Sequence, residues 1–350
     1  MTAEDQSKRE FSPKRLAVMS AAALAMLASP CAAELQASRT MLDARQVKTL
    51  RNLRPPGRWV LYTITWVPAP KVLVIAADTA PPYLYNRLFT VRVDGSGGWR
   101  TLRGLSRRSC RRTSEFAPVA LGRDRVAYTE DCINPRLPPN ELKHIKAYSF
   151  RTHGVRSLFP YGLPFPSRAF ALDPTGRRGV LNDGTGLEEQ LRRLLPSGLS
   201  PPVALGLERV GQPAWSPDGR VIAVPAAVDV GKVEGVARSI ASWRVYLGSS
   251  RLRSVSPLGR GTFEEDPALA WSPDSQLLAV AAPGREHAGK LVLVRRRDGR
   301  QLTVARGHFG SVAWTGPTTL AAVRAVGDRA QGGEYIQMFH LRSAVSRLEG

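Results

Sequence analysis

The sequence lacks the short motifs by which many catalytic sites can be recognised. It contains neither the Gly-x-Ser-x-Gly turn that carries a hydrolase nucleophile nor the Gly-x-x-x-x-Gly-Lys loop that cradles phosphates. Its five histidines are scattered, and no His-x-x-x-His or Cys-x-x-Cys spacing offers a pair of metal ligands. Catalysis by a known motif is therefore unsupported.

Lysine and acidic residues are scarce relative to arginine. Of the 50 basic residues 42 are Arg and 8 are Lys, against 29 acidic residues, which gives a formal net charge of +21. The arginines are spread along the chain, whereas nucleic-acid binders usually concentrate their charge, so no specific nucleic-acid partner is expected. Two interpretations stay open: a solvated basic surface, or attraction to an anionic envelope component such as a cell-wall polymer or lipid headgroup.

Long apolar runs are almost absent, and the clearest one, Leu16 to Ala28, lies near the N-terminus. It follows a charged segment and precedes the small residues Cys31-Ala32-Ala33, which is the order of a secretory signal peptide. The run is shorter than the roughly 17–25 residues of a spanning helix, although an uncleaved anchor is the alternative. We expect residues 1–33 to be removed, no transmembrane span to remain, and the mature chain to be periplasmic, extracellular or at the cell surface.

Cysteine is also rare, because only Cys110 and Cys132 remain once Cys31 leaves with the signal peptide. The two residues flank a predicted hairpin, Phe116 to Asp131, and an exported protein meets oxidising conditions. A disulfide closing this loop would contribute roughly 3 kcal/mol. The alternative is two unpaired buried thiols.

What the sequence does contain is a repeated pattern, clearest in QPAWSPDGRVIAV from Gln212 to Val224. Two β-rich runs flank Ser216-Pro217-Asp218-Gly219, whose residues favour a tight turn, so the segment predicts an antiparallel hairpin. An isolated hairpin is marginally stable in water. One copy must therefore pack against others.

Variants of this hairpin recur through the chain, aligned on Trp66, Leu121, Leu172, Trp215, Trp271 and Trp314. A second strand–turn–strand pattern follows most copies, with the poorest match between Gln190 and Leu205. Spacings of 43 to 56 residues between short-stranded units are typical of a β-propeller. We therefore predict an all-β, six-bladed β-propeller with four-stranded antiparallel blades over residues 59–350. Residues 34–58 are predicted to form a short helix or arm, because Leu42, Val47, Leu50 and Leu53 lie loosely at helical spacing.

The copies WSPDGRVIAV and WSPDSQLLAV resemble the repeats of the TolB-type six-bladed propeller family. Gly307-His308 ahead of Trp314 also resembles a WD-repeat signature, but no Trp-Asp closes a blade, so that family ranks second. The TolB resemblance implies a periplasmic or extracellular scaffold that binds proteins or peptides. Residues 34–56 are too few for the additional N-terminal domain of TolB, so its specific role is not carried over.

The residues repeated within these hairpins are interpreted as structural, because Pro, Asp and Gly serve the turn and Trp packs between blades. This structural set is Trp66, Trp215, Pro217, Asp218, Gly219, Trp271, Pro273, Asp274 and Trp314.

Acidic residues recur at the other end of the hairpins, where first strands begin and second strands end. They are Asp78, Glu130, Asp131, Asp183, Asp229, Glu264, Glu265 and Asp266, with Asn182 beside them. Carboxylates gathered at one rim of the channel predict a site for a cation or an amino terminus, and among metals they suit Ca²⁺. The alternative is that Asp and Asn simply favour the starts of loops.

Two functions follow for testing. The first is an exported, non-catalytic propeller that binds a protein or envelope partner through one channel rim and needs no cofactor. The second is a metal-dependent hydrolase or lactonase that uses the acidic rim.

Overall fold

The computed structural model describes residues 48–57, 59–78, 87–102, 112–133, 144–163, 167–183, 190–207, 209–230, 241–284, 289–325 and 334–341. For residues 48–50, 112–116, 131–133, 167–168, 229–230 and 241 it describes the backbone alone. The regular elements of these residues are strands. Within the same residues, no helix has the length and apolar character needed to cross a membrane.

The strands form six four-stranded antiparallel sheets, which we call blades 1 to 6. Blade 1 contains β2 (Val60–Val67), β3 (Val72–Asp78), β4 (Arg87–Arg92) and β5 (Arg100–Thr101). Blade 2 contains β6 (Arg112–Leu121), β7 (Arg125–Ile133), β8 (His144–Ser149) and β9 (Val155–Ser157). Blade 3 contains β10 (Ser167–Leu172), β11 (Gly179–Asp183), β12 (Gln190–Leu195) and β13 (Gly198–Leu199).

The last three blades complete the ring. Blade 4 contains β14 (Ala214–Trp215), β15 (Val221–Val230), β16 (Ala241–Ser249) and β17 (Val255–Pro257). Blade 5 contains β18 (Ala268–Trp271), β19 (Leu277–Ala282), β20 (Lys290–Arg295) and β21 (Gln301–Arg306). Blade 6 contains β22 (Phe309–Gly316), β23 (Thr319–Ala325), β24 (Glu334–His340) and, on its outer edge, β1 (Lys48–Leu53).

The predicted fold class is confirmed. The first strands of neighbouring blades contact one another around the axis, and β22 of blade 6 returns to β2 of blade 1. All six predicted hairpins form the first two strands of a blade. The segment with the poorest match also forms the strands β12 and β13 of blade 3.

Strand β1 lies in the segment that was predicted to be a short helix or arm. It pairs antiparallel with β24, from Lys48 opposite His340 to Leu53 opposite Ile336. The helix-like spacing of Leu50 and Leu53 was therefore misleading for this part of the arm. The last strand–turn–strand pattern was predicted from Tyr335 to Leu348; its part beyond Leu341 lies outside the described residues, and β1 occupies the outer position of blade 6.

Each junction between neighbouring blades contains its own hydrophobic cluster. Side chains alternate along a strand, so β3 sends Val74 and Ala76 toward blade 2 and Leu73 and Ile75 toward blade 6. A strand buried on both faces needs a continuous apolar run, which explains why VLVIAA is unbroken. The core of the molecule is thus a series of six interfaces.

The turn of blade 4 shows why the repeated residues build a hairpin. The Ser216 hydroxyl donates to Asp218 Oδ1 at 2.6 Å and accepts from the Val221 amide at 3.0 Å. Asp218 Oδ1 also accepts from the Arg220 amide at 3.0 Å, and Gly219 adopts a φ of 72°. We call the end of the propeller that carries these turns the turn face.

Candidate functional site

A cavity of about 400 Å³ runs along the propeller axis and is lined by the first strand of every blade. Most of its lining is apolar, and its polar members are Thr63, Thr65, Gln212 and Ser311. Among the described residues, none that lines the cavity is charged. At the turn face its wall includes Pro68, Pro174, Pro217 and Pro273. This axial cavity is suited to an uncharged, largely apolar group.

Tryptophans of the repeat both line the axial cavity and join neighbouring blades. The indole N–H of Trp271 donates to the Ala214 carbonyl at 3.0 Å, and that of Trp314 donates to the Ala270 carbonyl at 3.0 Å. Trp215 and Trp66 are half-buried in the same lining. The indole N–H of Trp215 is buried without an acceptor in the described part of the chain. Sequence reasoning assigned these residues to packing and did not foresee that they also form the cavity wall.

Two of the polar lining residues are already engaged between blades. The Ser311 hydroxyl accepts from the Ile64 amide at 3.1 Å, and the Thr65 hydroxyl accepts from the Ala120 amide at 3.2 Å. Gln212 is half-buried in the lining, and no hydrogen bond joins its side chain to another described residue. Its amide is therefore placed to orient a guest in the cavity.

The predicted acidic rim has a different character from the axial cavity. Glu130 is 3% exposed and forms an ion pair with the equally buried Lys146 at 2.5 Å. Asp183 forms an ion pair with Arg192 at 2.5 Å. Both cations belong to the same blade as their carboxylate. The positive charge of these side chains offsets the acids that the sequence placed at the rim.

The other predicted acids differ in their exposure. Asp78 is 4% exposed, and its Oδ2 has no hydrogen-bond partner among the described residues. Glu264, Glu265 and Asp266 precede β18 and are exposed or half-buried. The side chains of Asp131 and Asp229 lie outside the described residues. Among the described residues, no three His, Cys, Asp or Glu side chains lie close enough together to hold a metal ion.

Lys290 interacts with Glu264, one of the predicted rim acids, and with the aromatic and basic side chains beside it. Its ammonium lies 5.1 Å from the centroid of the Phe263 ring. Burial and the charge of Arg306 lower the pKa of Lys290, while Glu264 opposes that shift. The rim at blade 5 is therefore a mixed polar surface.

An ion pair at the turn face joins blades 4 and 5. Arg296 Nη1 donates to Asp218 Oδ2 at 2.7 Å, and the Asp218 amide donates to the Ser275 hydroxyl at 3.0 Å. Burial alone would raise the pKa of Asp218, but hydrogen bonds from Ser216, Arg220 and Arg296 lower it to about 2. Asp218 therefore acts in the turn and in the junction.

The predicted disulfide cannot be located, because Cys110 and the side chain of Cys132 lie outside the described residues. The backbone of Cys132 lies on β7 opposite Thr113. The disulfide stays a prediction.

Solved structures of low sequence identity share this arrangement of blades. TolB from Acinetobacter baumannii matches with a TM-score of 0.51 at 14% identity, over 82% of this chain and 65% of the TolB chain. Hydrazine synthase from Kuenenia stuttgartiensis matches with a TM-score of 0.50 at 13% identity, over 79% of this chain and 95% of its own. No protein-family model and no curated protein matches the sequence.

The architecture defines the class of protein as a six-bladed β-propeller. Within that class the chain has the fold of the TolB-type propellers, as the WSPDG repeats predicted. The match spans less than two thirds of the TolB chain, and identity this low shows the fold alone. Because a solved structure with a similar score carries the name of a synthase, the fold does not decide between binding and catalysis.

Proposed function

We propose that the chain is an exported, non-catalytic propeller scaffold that binds a protein or peptide partner at the mouth of the axial cavity. The observation that carries this proposal is the uncharged, largely apolar lining, to which all six blades contribute. Ligand pockets in proteins are typically about 300–1,000 Å³ and largely apolar with a few polar groups. A cavity of about 400 Å³ accommodates a short apolar segment of a partner.

The residues at the mouth favour a chain segment as the guest. Pro217 and Pro273 are exposed on the turn face beside the half-buried Trp215. Aromatic and proline surfaces bury area at low entropic cost because they are rigid, and Trp is frequent among residues that dominate binding energy. Gln212 supplies a hydrogen-bonding group within this apolar setting. A peptide with one or two apolar side chains and a free backbone group matches these features.

Export supports a partner in the cell envelope or outside the cell. The signal peptide predicted over residues 1–33 would release a chain beginning at Glu34 into the periplasm, onto the cell surface or into the medium. Cell fractionation with N-terminal sequencing tests this step separately. A cytoplasmic protein that retains Met1 would contradict it.

The binding step is tested with paired charge insertions. Pro217→Glu/Pro273→Glu introduces two carboxylates at the cavity mouth, and Pro201→Glu/Pro257→Glu makes the same change at exposed prolines outside the cavity lining. Each mature protein is immobilised, titrated with envelope extract of the producing cells, and cross-linked.

We expect a saturable, stoichiometric cross-linked partner with wild type and with the Pro201/Pro257 variant, and at least a tenfold weaker signal with the mouth variant. Equal capture by all three proteins, or capture that never saturates, would refute binding at the cavity mouth. Thermal melts of the three proteins establish that the variants are folded.

A further inference from the structure

A second cavity, of about 820 Å³, lies at the turn face between blades 2 and 3. Blade 2 contributes Arg125 at the start of β7 and the segment from Arg156 to Pro160. Blade 3 contributes Pro196 and the turn from Thr175 to Arg177. The lining thus brings three arginines from three separate elements to one concave surface, and none of the described residues that line it is acidic. We call this the arginine cavity.

The carboxylates nearest in sequence to these arginines are paired with other cations. Asp124 forms an ion pair with Arg151 at 3.6 Å, and Asp173 forms one with Arg178 at 3.1 Å. Asp173 also accepts hydrogen bonds from the Thr175 hydroxyl at 2.8 Å and the Arg177 amide at 3.1 Å.

The side chains of Arg125, Arg156 and Arg177 form no ion pair with any described residue. Arg156 and Arg177 are exposed, and Arg125 is half-buried. None of the described carboxylates therefore competes with a ligand for these guanidinium groups.

The corresponding junction between blades 4 and 5 is closed by charge pairing. Asp218 there occupies the turn position that Asp124 occupies in blade 2, and it binds Arg296 from the outer turn of blade 5. The outer turn of blade 3 instead presents Pro196 and Ser197, with no cation for Asp124 to bind. Asp124 therefore pairs within its own blade, and the junction keeps a cavity with excess positive charge.

We propose that the arginine cavity binds a ligand carrying two or more phosphate groups. Guanidinium groups bind phosphate oxygens through paired, charge-assisted hydrogen bonds. Three guanidiniums around 820 Å³ exceed what a single phosphate requires, so linked phosphates fit the charge and the space. The proposal is independent of the axial cavity and of the partner proposed for it.

A neighbouring cavity extends the basic surface along which such a ligand could lie. A cavity of about 520 Å³ lies beside the turn of blade 1 and includes Arg123 and Arg151. Arg123 is only two residues from Arg125, so the basic surface continues from the blade 2–3 junction toward blade 1. Asp124 also lines the 520 Å³ cavity, and its negative charge makes that cavity a weaker anion site than the arginine cavity.

The test uses the full mature chain and two matched triple variants. Arg125→Gln/Arg156→Gln/Arg177→Gln removes three charges from the cavity, and Arg251→Gln/Arg253→Gln/Arg260→Gln removes three from exposed positions of blade 4 and the loop after it. Isothermal titration with tripolyphosphate at fixed salt measures affinity. We expect at least a tenfold loss for the cavity variant and less than a twofold loss for the control.

Equal losses in the two variants would overturn the proposal, because diffuse surface charge predicts that result. Failure of wild type to bind tripolyphosphate at millimolar concentration would also overturn it. Because Arg125 is half-buried, the double variant Arg156→Gln/Arg177→Gln is measured alongside, and it is expected to retain the wild-type melting temperature while losing at least fivefold in affinity.

Two further probes distinguish the source of the phosphate. Vesicles of phosphatidylglycerol that bind wild type, and that tripolyphosphate displaces, would support a lipid headgroup. Binding to long-chain polyphosphate without binding to these vesicles would support a soluble or wall-linked phosphate polymer. Tighter binding of polygalacturonate than of either phosphate probe would overturn the assignment to phosphate.

Discussion

The junction between blades 4 and 5 and the junction between blades 2 and 3 are built from the same hairpin, yet one is closed and the other is open. At the closed junction Trp271 donates to the Ala214 carbonyl, and Asp218 binds both Arg296 and the Ser275 hydroxyl. At the open junction Leu172 stands where blade 5 has Trp271, and the cavity is lined by three arginines that form no ion pair with a described residue. Where the repeats are close to the consensus, bonds between the blades close the junction. Where the repeats are degenerate, the junction retains a cavity that a ligand can occupy.

Removing the tryptophan of the closed junction should produce the largest effect on stability. Trp271 is 6% exposed within the blade 4–5 cluster, so Trp271→Ala should lower the free energy of unfolding by about 3–5 kcal/mol. Trp215→Ala should cost less, because Trp215 is half-buried and its N–H has no acceptor. Urea denaturation of both variants measures the difference. A larger loss for Trp215→Ala would contradict the ranking.

The phenylalanine variants sharpen this comparison by separating the hydrogen bond from the packing. Trp271→Phe removes a bond at 3.0 Å and should cost about 1 kcal/mol more than Trp215→Phe. Equal losses of unfolding free energy in the two variants would show that the hydrogen bond from Trp271 to the Ala214 carbonyl does not stabilise the protein.

Breaking the charge pair of the closed junction should have the next largest effect. Asp218→Asn should lower the free energy of unfolding at neutral pH by about 1–2 kcal/mol, because it weakens the bonds to Arg296 and to the turn. The pKa of Asp218 is lowered from 3.8 to about 2, so its stabilisation is fully present above about pH 4 and is lost as the pH falls toward 2.

Unfolding measured from pH 7 to pH 2 checks this pair. The difference between wild type and Asp218→Asn should be constant down to about pH 4 and should shrink below it. A double-mutant cycle with Arg296→Gln assigns the part that belongs to the ion pair. A difference that persists at pH 2 would contradict the role of the ionised carboxylate.

The hairpins, at open and closed junctions alike, were the part of the fold that sequence could predict. Turn chemistry and apolar runs are local, so each of the six hairpins followed from a dozen consecutive residues. The pairing of β1 with β24 joins residues nearly 290 positions apart, and no local pattern records it. Leu50 and Leu53 matched a helical spacing by chance, and long-range pairing overrode that preference.

The candidate sites were harder to predict for a related reason. The acids of the rim were predicted from their positions before first strands and after second strands. Those positions alone do not show which basic side chains pair with the acids. Lys146 lies two residues beyond His144, which faces Glu130 across the strands, so its ammonium reaches that carboxylate. The arginine cavity was missed because it depends on which ion pairs form elsewhere, and only the folded chain determines this.

Supplying a carboxylate to the open junction should make it resemble the closed one. Ser157→Glu places a negative charge in the arginine cavity, where pairing should raise the free energy of unfolding by up to about 1 kcal/mol. The same change should reduce the affinity for tripolyphosphate at least fivefold, because the new carboxylate competes for the arginines. Ser254→Glu, on the exposed outer turn of blade 4, is the matched control and should change affinity less than twofold.

The smallest effect is expected where the acidic rim is tested for metal. Addition of Ca²⁺ or Zn²⁺, or removal of metal with EDTA, should leave the melting temperature within about 1 °C, because Glu130 and Asp183 are committed to Lys146 and Arg192. A specific metal at a hundred times its dissociation constant would add about 2.7 kcal/mol, which is easily measured. Asp78→Asn tests whether Asp78 binds a metal, because this substitution retains the size of the buried side chain but removes its carboxylate. If Ca²⁺ raises the melting temperature of wild type but not of Asp78→Asn, the metal-dependent hydrolase becomes a candidate function again, with the acidic rim as its active face.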